Sequence, residues 1–182
     1  LYNMPEEFDV VTYGISKDGN WFKYTGSIEN LENDKWQEQA TRAVLSCDPK
    51  DHGFIVFGEN GVYVEEVDVV FPVMHGPNGE DGTIQSVCEL AGIPCVGPGR
   101  LSGSMSMDKE YTHIVCEHFN VPMAKWMSVR KHDVKDYESL YETVKNTLGI
   151  PCIVKPANAG SSFGVNKVKD YGFDYIVITG NP

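Results

Sequence analysis

Residues 153–165 of this chain read Ile-Val-Lys-Pro-Ala-Asn-Ala-Gly-Ser-Ser-Phe-Gly-Val. An apolar run delivers one lysine, Lys155. Small residues then supply Gly160, the hydroxyls of Ser161 and Ser162, and Gly164. A loop of this composition can wrap polyphosphate: glycine admits close backbone approach, and successive N–H groups form an anion-binding nest. Lys155 adds a point charge. No Lys-Ser/Thr pair follows the second glycine, so this is not a Walker A loop. A plain Gly-Ser hairpin turn with an exposed lysine is the other reading of these residues.

A second group with chemical potential is His75-Gly-Pro-Asn-Gly-Glu80-Asp81-Gly-Thr83. It follows an apolar run, and ligands of open α/β sheets sit beyond the carboxyl ends of strands. A helix starting near Asp81 or Gly82 aims N–H groups at the same region, which favours an anion. Asp81 also reads as a helix cap, with His75 bonded inside the loop. Lys109 falls in the first turn of another helix, where a cation opposes the macrodipole. It is either a solvated surface lysine or one with an anionic partner. His52, His113, His118 and His132 show no metal-ligand spacing and read as structural.

The elements that would position these groups follow from the hydrophobic pattern. Residues 8–15 and 21–24 read as strands around a turn at Lys17–Asn20. Residues 26–43 read as loop with a short helix. Residues 54–57 and 62–65 form a hairpin. The run Val67–Met74 is almost unbroken in apolar character and suits a central parallel strand buried on both faces. Ile84, Val87, Cys88 and Ala91 recur at helical spacing up to Gly92, and residues 94–97 read as a short strand. Strand, helix and strand over 67–97 imply a right-handed crossover in an α/β layer. Residues 98–106 read as a linker and domain boundary. A helix starting near Ser106 or Asp108, a strand over 124–129, a helix from Tyr137 to Leu148 and a hairpin over 152–169 complete the pattern.

The 182 residues suffice for one large or two small domains, and the composition is that of a soluble globular protein. A net charge of −11 argues against general nucleic-acid binding, which wants a basic face. No apolar run reaches the roughly 18 residues of a membrane span, and no signal peptide is apparent. Five cysteines at scattered spacings read as reduced core thiols of a cytoplasmic protein. The chain lacks an initial methionine, and its last strand-like run leads nowhere; both ends read as cut, so a fragment is expected.

Four motifs occur in order: His-Gly-x-x-Gly-Glu-Asp-Gly-Thr-Ile-Gln, Glu-Leu-Ala-Gly-Ile-Pro-x-Val-Gly, Ser-Met-Asp-Lys, and Val-Lys-Pro-x-x-x-Gly-Ser-Ser-Phe-Gly-Val. Together they resemble the bacterial D-alanine–D-alanine ligases and their D-Ala–D-Ser and D-Ala–D-Lac relatives, which are ATP-grasp enzymes. The resemblance covers roughly residues 8–170. It implies an α/β fold: a mostly parallel pre-ATP-grasp-like layer over residues 1–100, then part of the ATP-grasp central α+β domain over 101–182. In the family, ATP phosphorylates the first D-alanine carboxylate and the second amine attacks the acyl phosphate, for peptidoglycan precursor synthesis.

Carried over by position, the resemblance assigns Lys109, Lys155, Gly160, Ser162 and Gly164 to nucleotide binding. Ser161 and His75 take catalytic roles, and His75, Glu80 and Ser161 substrate-binding ones. ATP and D-alanine are the implied ligands, and a homodimer the implied assembly. Mg2+ is implied too, with its ligands in a family region that follows this chain. The family's opening strand and Gly-Gly loop have no counterpart here. After Val168 the pattern departs, with Thr179-Gly180 where an acidic pair is expected. The isolated chain is therefore expected to bind ATP weakly without turnover. An inert phosphate-binding or interaction fragment is the alternative, and a different ATP-grasp ligase a third reading. The second substrate stays open among D-Ala, D-Ser and D-lactate.

Overall fold

A computed structural model describes residues 6–32 and 35–169. Its elements in chain order are β1 (Thr12–Ile15), β2 (Trp21–Tyr24), α1 (Ile28–Glu32), β3 (Ala40–Leu45), β4 (Gly53–Gly58), β5 (Gly61–Glu66), α2 (Thr83–Leu90), α3 (Arg100–Met107), α4 (Lys109–His118), α5 (Tyr137–Leu148), β6 (Cys152–Val154) and β7 (Asn166–Val168). Two compact units result. One combines the chain up to Pro72 with Gln85–Gly97, the other Val73–Ile84 with the chain from Pro98 on.

The first unit is built on one sheet, β1-β2-β3-β4-β5, antiparallel throughout. Side chains alternate across a strand, and the β3–β4 pair uses this directly. Ala43 lies opposite Val56 and Leu45 opposite Phe54, and all four are buried. Tyr13 of β1 stacks on Phe54 of β4, with centroids 3.5 Å apart. In a flat sheet those strands would stand about 14 Å apart, at about 4.8 Å per neighbour, so the sheet curls on itself. Glu65 of β5 fastens the curl: its carboxylate accepts from the Tyr13 hydroxyl and pairs with the Lys23 ammonium.

Sequence expectation and structure part at Val67–Met74. The run forms no strand; its one ladder contact is a parallel bridge between Val70 and Cys95. Val70 N–H donates to the Pro94 carbonyl at 2.9 Å, and the Val70 carbonyl accepts from Val96 N–H at 2.8 Å. Among the described residues no strand lines its other edge. Val69, Phe71 and Val73 are 42%, 62% and 78% exposed, so the apolar character is present without the flanking strands that would bury both faces. The expected mostly parallel layer is therefore replaced by an antiparallel sheet plus this single parallel bridge, within an α/β architecture. The strand expected over 94–97 is likewise reduced to the bridge at Cys95.

Three further expectations change. The strand β3 falls where loop was expected at its start. Residues 98–106 hold α3 rather than a linker, and 124–129 form no strand. The hairpins β1–β2 and β4–β5, and the helices α2, α4 and α5, stand where the hydrophobic spacing puts them. On α2, Ile84, Cys88 and Ala91 are buried, and Gly92, at φ +68°, ends the helix in a left-handed turn.

The Tyr13–Lys23–Glu65 cluster makes this unit sensitive to alkali. Burial raises the Tyr13 hydroxyl above its ordinary pKa, and hydrogen bonding to Glu65 and its charge raise it further. For Lys23, burial acts downward but the hydrogen bond and charge of Glu65 outweigh it, so the ammonium is also raised. Both groups are protonated in the favoured state. Their contribution is full below about pH 10, the unfolded value, and is lost as pH rises through the folded values. Glu65→Gln should cost about 2 kcal/mol, as expected for hydrogen bonds to a charged group. It should also flatten the fall in melting temperature above about pH 10. Thermal melts followed by circular dichroism check both; a variant with the parent's stability and pH profile would show the cluster to be incidental.

Candidate functional site

The second unit contains both chemically suggestive groups. The strands β6 and β7 pair antiparallel, Cys152 opposite Val168 and Val154 opposite Asn166. The segment 155–165 between them is the glycine-serine loop. Ser161 and Ser162 adopt φ of +49° and +58°, and Gly164 follows at +69°. Two successive non-glycine residues in the left-handed region mark a locally unfavourable backbone. The turn is closed by Phe163 N–H to Gly160 carbonyl at 3.0 Å and Val165 N–H to Ser162 carbonyl at 3.2 Å. A Cβ on Gly164 would stand 2.7 Å from Pro156 Cγ, so the residue is set by its own chain. Gly160 is different: a Cβ there would meet open space, and its φ is not in the left-handed range.

The sequence makes Lys109 the first residue of α4 because Asp108 caps the helix, accepting from Glu110 and Tyr111 N–H at 2.9 and 3.1 Å. The cap turns Lys109 toward the loop. Its backbone N–H donates to the Ala157 carbonyl at 3.0 Å. Its ammonium donates to the carbonyls of Ala159 and Ala157. Burial and then the neighbouring Lys155 charge hold the Lys109 ammonium below its ordinary pKa, with Asp108 acting the other way. Two cations thus feel one another beside the glycine-serine loop. Lys155, Ser161 and Ser162 are exposed, as is Phe163 at 79%.

His75 and Glu80 lie in a separately built cluster, the loop preceding α2, and both are exposed. The Glu80 carboxylate accepts from Gly76 N–H, so its position is fixed within the loop. Asp81 accepts from Asn78 N–H at 2.9 Å and Thr83 N–H at 3.0 Å, capping α2 as its place in the sequence predicts. Burial would raise the Asp81 carboxyl, but these hydrogen bonds outweigh it and hold it below the usual range. Gly82, at φ +86°, lets the loop backbone pass against α3; a Cβ there would come within 2.3 Å of the Arg100 carbonyl. Gly103 of α3 answers from the other side, with a would-be Cβ at 2.9 Å from Gly82 N. Ser104 Oγ donates to the Asp81 carbonyl at 2.7 Å.

Sequence reasoning named the two lysines but not the partners of Lys109. Nothing in the composition of Ala157-Asn158-Ala159 marks their carbonyls as lysine acceptors. Asp108 immediately before a helical pattern was the available signal for a cap that aims Lys109. Gly103, read as linker glycine, belongs to the helix that buttresses the His75–Thr83 loop. Among the described residues, no three His, Cys, Asp or Glu side chains converge to hold a metal ion, and no helix is long and apolar enough to cross a membrane.

The fold is the α/β, ATP-grasp architecture of its structural neighbours. The D-Ala:D-Ser ligase VanG from Enterococcus faecalis superposes with a TM-score of 0.82 at 35% identity, over 93% of this chain and 48% of that one. The D-alanine–D-alanine ligase from Helicobacter pylori, at 22% identity and a TM-score of 0.72, shares the fold. Residues 1–98 match the family model described as D-ala D-ala ligase N-terminus, and residues 115–172 that described as D-ala D-ala ligase C-terminus. The chain belongs to the D-alanine–D-alanine ligase family. The D-alanine–D-alanine ligase of Clostridium acetobutylicum is 44% identical over 162 residues, 88% of this chain and 44% of that protein. That of Thermoanaerobacter sp. is 40% identical over 165 residues, 90% of this chain and 45% of its own length. The chain thus spans somewhat less than half of the curated relatives it matches. The family match runs to residue 172, beyond Val168, and residues 170–182 lie outside the described structure.

Two outcomes test this geometry. Lys109→Met removes the donors to Ala157 and Ala159, so amide exchange of residues 157–165 without nucleotide should quicken about tenfold, the equivalent of about 1.4 kcal/mol of local opening. Unchanged protection there would mean that the ammonium does not hold the loop. Asp81→Ala should cost about 1 kcal/mol as a lost cap. Because the Asp81 carboxyl is depressed, its contribution is present above about pH 4, the unfolded value, and fades as pH falls through the folded one. Acid titrations of parent and variant should therefore converge at low pH.

Proposed function

We propose that this chain forms the nucleotide-gripping part of an ATP-dependent ligase that joins D-alanine to a second D-alanine or related D-residue. In this reading the product serves peptidoglycan precursor synthesis in the cytoplasm. The single observation that carries the reading is the pairing of Lys109 and Lys155 with the glycine-serine loop. Two ammonium groups that repel one another, beside successive left-handed residues, make a local positive region on a chain of net charge −11. Polyphosphate offsets that repulsion, and open space at Gly160 lets an anion approach the backbone.

The residues fit ATP as follows. Lys155 and Lys109 neutralise phosphate oxygens; Lys109 exchanges a carbonyl partner for a phosphate one. Ser162 and the backbone N–H groups near Gly160 and Gly164 hold the phosphates in place, and the exposed Phe163 shields them from water. ATP, when bound, supplies the phosphoryl group that activates a carboxylate. Catalysis of this type is mainly positioning and charge neutralisation. Ser161 orients substrate through its hydroxyl. His75 faces the D-amino acid from the loop that Glu80 and Asp81 brace. The described residues assemble no ligand set for Mg2+. A homodimer belongs to the same reading and is checked by light scattering.

Calorimetric titration with a non-hydrolysable ATP analogue tests the site. Lys155→Ala should weaken binding about tenfold or more, the loss of one charge-assisted contact. Undiminished affinity in Lys155→Ala would remove the site from the reading. Phosphate release from ATP that depends on D-alanine tests the activity. Nucleotide binding without it would favour the alternative, an inert phosphate-binding module.

A further inference from the structure

The sheet of the first unit ends at β5, and among the described residues no strand pairs with its outer edge. The β4–β5 register decides which backbone groups face that edge. Val67 N–H donates to the His52 carbonyl at 3.0 Å, and the β4–β5 pairs continue the same register down to Gly58 opposite Gly61. Hydrogen-bonded pairs recur at every second residue of an antiparallel ladder. Glu65, Tyr63 and Gly61 therefore turn their N–H and carbonyl groups to β4. Val62, Val64 and Glu66 turn theirs outward, where the described backbone offers no partner. Edge strands are normally blunted by a charge, a proline or a covering element. The middle of β5 has neither charge nor proline: Val62, Tyr63 and Val64 follow one another and are 64%, 46% and 43% exposed.

We propose that β5 pairs antiparallel with β5 of a second copy of this chain, about a two-fold axis at Tyr63. The occupant is a second copy because the strand complements itself in this register. Val62 falls opposite Val64 of the second copy, and Val64 opposite its Val62, each pair exchanging both N–H···O bonds. Tyr63 meets Tyr63 in the closer, non-hydrogen-bonded position, where an aromatic pair is favourable. Glu65 falls opposite Gly61 and Glu66 opposite Asn60, so the carboxylates stand at the two ends. Centred on Val64, the strands would set Val62 against Glu66. Centred on Glu65, they would oppose like charges. Centred on Val62, they would set Val64 against Asn60 in the turn. Charge fits as well. A chain of net charge −11 repels its copy in general, but Lys23 pairs with Glu65 and lies 5.7 Å over the Tyr63 ring centroid. The contact is thus close to neutral at its axis. It is small beside the roughly 1,600 Å2 of a standard interface, so the dimer is reversible. Carboxylates at both ends make salt strengthen it. This inference gives the homodimer of the proposed reading a surface without using the nucleotide site. Loss of ATP binding would leave it standing, and a dimer built on another face would sink it while leaving that reading intact.

Sedimentation velocity of the whole chain, from about 2 to 200 μM, tests the pairing by mass action. The expected result is a monomer that becomes a dimer as concentration rises, and does so at lower concentration in high salt. Val64→Pro removes an outward donor without touching the β4 ladder. It should raise the monomer–dimer midpoint about tenfold or more and keep the parent's circular dichroism. Val64→Lys, which places a cation in the contact, should do the same and gives the reading if the proline variant does not fold. In the parent, amide exchange followed by NMR should slow at Val62 and Val64 as the dimer forms. A monomer at every concentration overturns the proposal. So does a dimer that both variants leave intact, because it uses another face. Protection of Val62 and Val64 that is the same at every concentration overturns it too, since the same chain would then cover β5.

Discussion

A lysine at the first turn of a helix, partly buried and beside a second lysine, is unfavourable in three ways at once. It faces the positive end of the helix dipole, loses hydration, and repels Lys155. The carbonyls of Ala157 and Ala159 offset those costs by accepting from the Lys109 ammonium. The backbone N–H of the same residue joins the same loop. The second unit is organised by that requirement. Asp108 aims the side chain, β6 and β7 bring the loop within reach, and the left-handed serines fold it back. A cation parked on backbone carbonyls is also one that a stronger anion can take. In the proposed reading, the nucleotide-binding and structural roles of Lys109 are one arrangement with and without phosphate.

The His75–Thr83 loop is ordered by a different device, close backbone approach. Gly82 and Gly103 remove the side chains that would keep the loop from α3, and Ser104 adds a hydrogen bond across the contact. Internal bonds of Glu80 and Asp81 then fix the turn. His75 lies exposed at the start of that loop. The first unit also has one such backbone approach, at Gly53, where a Cβ would stand 2.0 Å from the Glu65 carbonyl. Its order rests on a curled antiparallel sheet, an apolar face shared by β3 and β4, and the Tyr13–Lys23–Glu65 fastening.

Local pattern and four ordered motifs sufficed for much of this protein. Alternation and turn residues located the hairpins β1–β2 and β4–β5. Apolar spacing and terminal glycines located α2 and α5, and the motifs pointed to the family. These features are legible because each depends on residues within a few positions of one another. Tertiary structure decided the rest. The direction of the sheet depends on which strands find neighbours: Val67–Met74 has the apolar character of a buried strand, yet its one ladder pairing is Val70 with Cys95. α3 lies in a Gly-Ser-rich stretch whose small residues serve the packing of Gly103 against Gly82, 21 positions away in sequence (103 − 82). The acceptors of Lys109 lie about fifty residues downstream and are backbone carbonyls. Every residue has such a carbonyl, so side-chain identity carries no mark of it, and only the folded chain selects the two that meet the ammonium.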